Sequence, residues 1–62
     1  MKKRDLDKEL ARAGWWLKRQ GGGHEIWTNG EETEPVPRHR EINERLAKKI
    51  IDVAKRLPPK KK

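Results

Sequence analysis

The chain contains no cysteine, so no disulfide framework can stand in for a core and no thiolate can bind a structural metal. A fold of 62 residues must then be held by packing, although only 31% of those residues are hydrophobic. Domains of this size bury about 60% of the surface that their unfolded chains expose. Each of the three Trp and each Leu and Ile therefore counts. The apolar residues form one cluster, which predicts a single domain over residues 1–57 and a basic, disordered tail at 58–62.

Periodicity orders that domain. Leu6, Leu10 and Ala13 form a stripe at helical spacing, which predicts a helix from Asp5, as N-cap, to Ala13, stopped by Gly14. From Trp15 to Arg19 the period shortens to two, placing Trp15, Leu17 and Arg19 on one face and Trp16 and Lys18 on the other. Three glycines follow, then a β-favouring run from His24 to Thr28. Asn29-Gly30 signals a hairpin, because both central positions of a type I′ turn need positive φ.

A third strand is expected over Thr33–Pro37, at a sheet edge because Pro35 and Pro37 lack N–H donors. Its register stays open: a strict two-residue turn puts Val36 on the side of Glu25 and Trp27 rather than of Ile26. Ile42, Leu46, Ile50, Val53 and Leu57 then mark one face of a closing helix, ended by Pro58 and Pro59. The predicted class is α+β, in the order α-β-β-β-α, with a three-stranded antiparallel sheet and both helices on one face.

Seventeen Lys and Arg against ten Asp and Glu give a net charge of +7, which favours a polyanionic partner, RNA or DNA. No apolar run approaches a membrane span, and the N-terminal residues lack a signal peptide's apolar stretch. A cytoplasmic location is the expectation, with no membrane association.

His24, directly after Gly21, Gly22 and Gly23, is either a solvent-facing strand histidine or a proton-transfer group. The second reading rests on its position. Small residues let a polymer approach the backbone, and an imidazole takes up or releases a proton near neutral pH. RNA brings its own nucleophile, the 2′-hydroxyl, so one base with cations around the scissile phosphate suffices for cleavage. Lys18 and Arg19 flank the glycines, while Arg38, His39 and Arg40 precede the closing helix, whose N-terminal N–H groups favour anions. Each group reads equally as a solvated charged surface. His39 is a second proton-transfer candidate or a polar cap, and Trp16 or Trp27 is either a base-stacking platform or a core residue. Two histidines without cysteine or suitably paired carboxylates make a poor zinc set, so neither metal nor cofactor is expected.

The stretches GWWLKRQGGGHEIW and TNGEETEPVPRHREINERLAKKI resemble the HicA toxins, small mRNA interferases of type II toxin–antitoxin systems. The likeness runs from the first helix to Leu57. It implies a double-stranded-RNA-binding-domain-like fold and a translation-blocking ribonuclease with its catalytic histidine at His24. It also implies a HicB antitoxin that binds the toxin and covers that histidine. HicA members often carry Ser or Asn where this chain has Gly23.

Residues and resemblance together predict a metal-independent endoribonuclease cutting mRNA, with His24 catalytic and Lys18, Arg19, Gly22, Gly23, Arg38, His39 and Arg40 contacting RNA. The free protein is expected to be monomeric and to join a HicB-type antitoxin in a hetero-oligomer. The alternative is a noncatalytic RNA-binding module of the same fold.

Overall fold

The computed structural model describes residues 1–59, so Lys60, Lys61 and Lys62 of the expected tail lie outside the described residues. The elements run α1 (Lys3–Arg12), β1 (Trp16–Gln20), β2 (His24–Thr28), β3 (Thr33–Pro37) and α2 (Glu44–Arg56). The strands form one antiparallel sheet in the order β1-β2-β3, with the proline-containing strand at an edge as expected. Leu6 and Leu10 of α1 and Ala47, Ile50 and Ala54 of α2 share one core with Trp27 and Val36. Both helices thus cover a single sheet face and leave the other open, the α+β architecture read from the sequence.

Helix α1 begins at Lys3, two residues before the expected start, and Asp5 lies in its first turn rather than at the cap. The cause is long-range. Lys2 bridges to Glu41, the Lys3 N–H donates to the Arg40 carbonyl at 2.9 Å, and the Ile42 N–H donates to the Met1 carbonyl at 2.7 Å. The helix ends as predicted at Gly14, whose φ of 96° lets the Trp15 N–H reach the Leu10 carbonyl and the Gly14 N–H the Ala11 carbonyl, both at 3.0 Å. A Cβ on Gly14 would also lie 2.8 Å from the Pro59 ring.

Strict alternation fails in β1. A bulge between Leu17 and Arg19 leaves Trp16 opposite Thr28 and Leu17 opposite Trp27, but Arg19 opposite Ile26 and Gln20 opposite Glu25. Leu17 therefore lies on the helix side of the sheet, still 40% exposed, while Trp16 and Arg19 share the open face, which separates the expected Trp15–Leu17–Arg19 row. Trp15 packs in the core and its indole N–H donates to the Ala54 and Leu57 carbonyls, tying the end of α2 to the start of the sheet.

The second hairpin also differs from a simple Asn29-Gly30 type I′ turn. Thr28 pairs with Thr33, and only Gly30 has positive φ, 104°. Asn29 is buried instead: its side-chain oxygen accepts from the Glu31 and Glu32 N–H groups, and its amide donates to the Leu57 carbonyl at 2.8 Å. Val36 stands opposite Glu25, so the buried side of β2 carries Glu25 and Trp27 while Ile26 faces outward.

The closing helix starts later than its apolar stripe. Asn43 caps it, accepting from the Arg45 and Leu46 N–H groups, and Ile42 is buried just before that cap. The buried row is Ala47, Ile50 and Ala54, whereas Leu46 and Leu57, predicted on the inner face, are 37% and 43% exposed. Small residues at 47 and 54 let the helix lie close to the sheet and turn that row inward.

Glu25 is tolerated under the sheet because Lys3 reaches it at 2.8 Å while also bonding Asp7, and the Trp27 indole donates to the same carboxylate at 3.0 Å. Burial opposes the charge on Glu25. The hydrogen bonds from Lys3 and Trp27 and the charges of Lys3 and Arg38 outweigh it, and the carboxyl titrates below the usual glutamate range. Burial opposes the charge on Lys3 as well, yet its bonds to Asp7 and Glu25 hold the ammonium above the usual lysine range.

The stability from Glu25 is thus complete above its unfolded pKa, about 4.3, and disappears as pH falls through the lower folded value. That from Lys3 is complete below about 10.4 and disappears as pH rises through the higher folded value. Melting temperature should therefore drop below about pH 4.3 and above about pH 10.4, and Glu25→Gln should flatten the acid limb. An equally steep acid limb in that variant would assign it to other carboxylates. Lys3→Met, which strands the carboxylate, should cost about 3 kcal/mol in denaturant unfolding. Gly14→Ala should cost about 2 kcal/mol from the left-handed backbone alone, and more from the Pro59 contact.

Candidate functional site

Burial of Glu25 fixes where its neighbours point. Side chains alternate along a strand, so with Glu25 and Trp27 turned to the helices, His24 and Ile26 face the open side. His24 is exposed there, opposite Pro37 on the edge strand. The bulge brings Arg19 onto the same face, two residues along and one strand across from His24. Lys18, the additional bulge residue, is exposed beside it.

Gly22 and Gly23 form the tip of the β1–β2 hairpin, closed by the Gly21 N–H donating to the His24 carbonyl at 2.7 Å. Neither glycine adopts positive φ, and a Cβ at either would meet nothing within 4 Å. The fold demands a glycine at 14 and at 30, but not here.

Arg38 comes to this tip from the other side of the sheet. Its N–H donates to the Gly23 carbonyl at 3.2 Å and its guanidinium to the Gly22 carbonyl at 3.5 Å, and its charge also acts on Glu25. His39 is exposed on the loop beyond. Arg40 turns away from the tip into a separate depression of 440 Å³ with Lys2, Lys3, Arg4, Asp7 and Glu41.

The expected anion site at the closing helix is not formed by Arg38, His39 and Arg40. Glu41, Ile42 and Asn43 separate them from α2, and Asn43 already occupies the first N–H groups. The basic rim expected around His24 is thus divided: Arg19 on its face, Arg38 behind the tip, and Arg40 with the start of α1. Lys2 and Arg4, which no sequence motif singles out, line the same depression as Arg40. Only the pairing of the N-terminal residues with 40–42 brings them to this end.

Of the aromatic candidates, Trp27 is 8% exposed beneath the sheet and is a core residue. Trp16 is 48% exposed on the open face but pairs with Thr28, at the end of β2 remote from His24. Four residues of strand, about 13 Å, separate those ends. Its ring lies over the distal turn, 3.4 Å from where a Cβ on Gly30 would be.

Among the described residues no group of three or more His, Asp or Glu is placed to hold a metal, and no helix is long and apolar enough to cross a membrane. No curated protein and no solved structure matches the chain. The family model for HicA toxins of bacterial toxin–antitoxin systems matches residues 4–55, from the first turn of α1 to the last turn of α2, and so takes in the glycine hairpin, His24 and the Arg38–Arg40 loop. With that match over most of its length, the chain belongs to the HicA toxin family and is the toxin of a toxin–antitoxin pair, with an antitoxin as its partner.

Proposed function

We propose that the toxin acts as an endoribonuclease on mRNA, with His24 as its general acid or base. The observation that carries this reading is the pair of glycines beside an exposed imidazole. Nothing in the fold requires Gly22 or Gly23, so what their missing side chains provide is open space next to His24. A ribose-phosphate strand fits that space, since its backbone must come close to the imidazole for proton transfer.

In the proposed reaction neutral His24 accepts the proton of a ribose 2′-hydroxyl as that oxygen attacks the adjacent phosphorus. The bond from phosphorus to the 5′-oxygen breaks, the departing oxygen gains a proton, and the other fragment ends in a 2′,3′-cyclic phosphate. Because the substrate provides the nucleophile, the scheme needs no metal. Arg19 on the His24 face and Arg38 behind the tip stabilise the charge that grows on the phosphorane. Lys18, His39 and Arg40 extend the contacts along the strand. An antitoxin of the HicB type would silence the enzyme in the cytoplasm by covering His24.

His24→Ala should reduce cleavage of a labelled transcript by about 10² to 10⁴ while RNA binding persists. Undiminished cleavage would remove His24 from the chemistry, and binding without scission by the native protein would favour the noncatalytic RNA-binding reading. Leu at both Gly22 and Gly23 should leave the melting temperature within a few degrees, since the added Cβ atoms meet nothing. It should nevertheless lower cleavage by about 10²-fold by holding the strand off the imidazole. Full activity in that variant would show that the glycines do not serve close approach.

A further inference from the structure

We propose that the depression at the start of α1 is a second phosphate-binding site, which holds the RNA strand beyond the glycine tip. The inference rests on the ribonuclease reading above and extends it to residues outside the His24 site.

The depression measures 440 Å³ and is lined by Lys2, Lys3, Arg4 and Arg40 with Asp7 and Glu41. Which of these charges are free decides what it binds. Lys3 is committed to Asp7 and Glu25, at 2.8 Å each, and its one charge is shared between them. The Met1 amino group lies 3.7 Å from Glu41 and 3.3 Å from Glu44. Lys2, Arg4 and Arg40 have no acidic partner among the described residues, and all three are exposed. Four cations and two carboxylates line the concavity, an excess of positive charge, and Lys2, Arg4 and Arg40 are the cations that make no ion pair there.

Backbone pairing holds that convergence in place. Lys2 bridges to Glu41, and the Lys3 N–H bonds the Arg40 carbonyl, so the α1 lead-in and the loop after β3 lie side by side. The depression also adjoins the hairpin tip. Lys3 touches Glu25, the same carboxylate acts with Arg38, and Arg38 bonds both tip glycines. The cations thus stand in succession along this end of the fold: Arg19 on the open face with His24, Arg38 at the glycine tip, and Arg40, Lys2 and Arg4 at the depression.

A polyanion that crosses the tip meets cations on both sides of the sheet, which a dinucleotide does not span. The ligand chemistry is that of successive backbone phosphates, because the lining is charged side chains and none of them offers an aromatic face for a base. Recognition here is independent of sequence and sensitive to salt.

The test compares the native chain with Lys2→Glu/Arg4→Glu and, as a control with the same change in net charge, Lys48→Glu/Lys49→Glu on α2. A fluorescent 20-nucleotide single-stranded RNA is titrated by anisotropy across salt concentrations, and cleavage is followed on that RNA and on a dinucleotide. Circular dichroism checks folding, and Lys2→Gln/Arg4→Gln serves as the milder pair. The expected result is affinity about tenfold weaker at low salt for the Lys2/Arg4 variants, with a log–log salt slope shallower by about 1.4, from about 0.7 per lost single-strand contact.

The control should keep most of its affinity. KM on the 20-mer should rise with kcat unchanged, and dinucleotide cleavage should be unaltered. Equal losses in the Lys2/Arg4 variants and the control would reduce the effect to net charge and overturn the site, as would native affinity in the Lys2/Arg4 variants. If the native protein binds no RNA, the ribonuclease reading itself fails.

Discussion

The ion pair between Lys3 and Glu25 sets the orientation of the sheet. A carboxylate beside Ile26 in β2 would ordinarily belong to the solvent side, with Ile26 inward. Here Lys3 meets Glu25 from α1 and Trp27 donates to the same oxygen. Removing a carboxylate from water costs several kcal/mol unless its hydrogen bonds are replaced, and both donors replace them. Because strand side chains alternate, this one choice turns Trp27 into the core and His24 out of it. The exposure of the candidate catalytic residue thus follows from a salt bridge on the opposite face.

The same alternation explains what could be read in advance. The order of elements, the Gly14 helix stop and the edge position of β3 were legible, since each depends on local chemistry: glycine at positive φ, proline without an N–H. The buried side of β2 was not. Its sign was visible as the placement of Val36 with Glu25 and Trp27, but the cation that makes a buried Glu25 tolerable lies 22 residues away in sequence. The start of α1 and the delayed start of α2 share one distant cause as well, the pairing of residues 1–3 with 40–42. The bulge at Lys18 has no composition signal, and it alone moves Arg19 to the His24 face.

Glycine has two different roles in this chain, and the contrast separates architecture from proposed chemistry. At Gly14 and Gly30 the backbone takes positive φ, and at Gly14 the Cβ position is also crowded by Pro59. At Gly22 and Gly23 neither constraint exists. Replacing a glycine at an unstrained position generally stabilises a protein by lowering the entropy of its unfolded state. Keeping two such glycines in a domain with so small a core forgoes that gain, which makes sense where the vacant volume is occupied by a ligand.

A site built in this way has consequences for control. His24 stands exposed on the open face, and the tip beside it is closed by the Gly21–His24 bond and tied to the loop after β3 by the Arg38–Gly23 bond. No element has to move before a strand can reach it, so on the proposed reading the free toxin is competent as folded. Among the described residues nothing else covers this face, because both helices are spent on the other side of the sheet. Inhibition must then come from a separate molecule that lies over the open face or competes for its cations. The division of the toxin into a packed face and a bare one is thus the physical reason that such an enzyme would depend on an antitoxin for its silence.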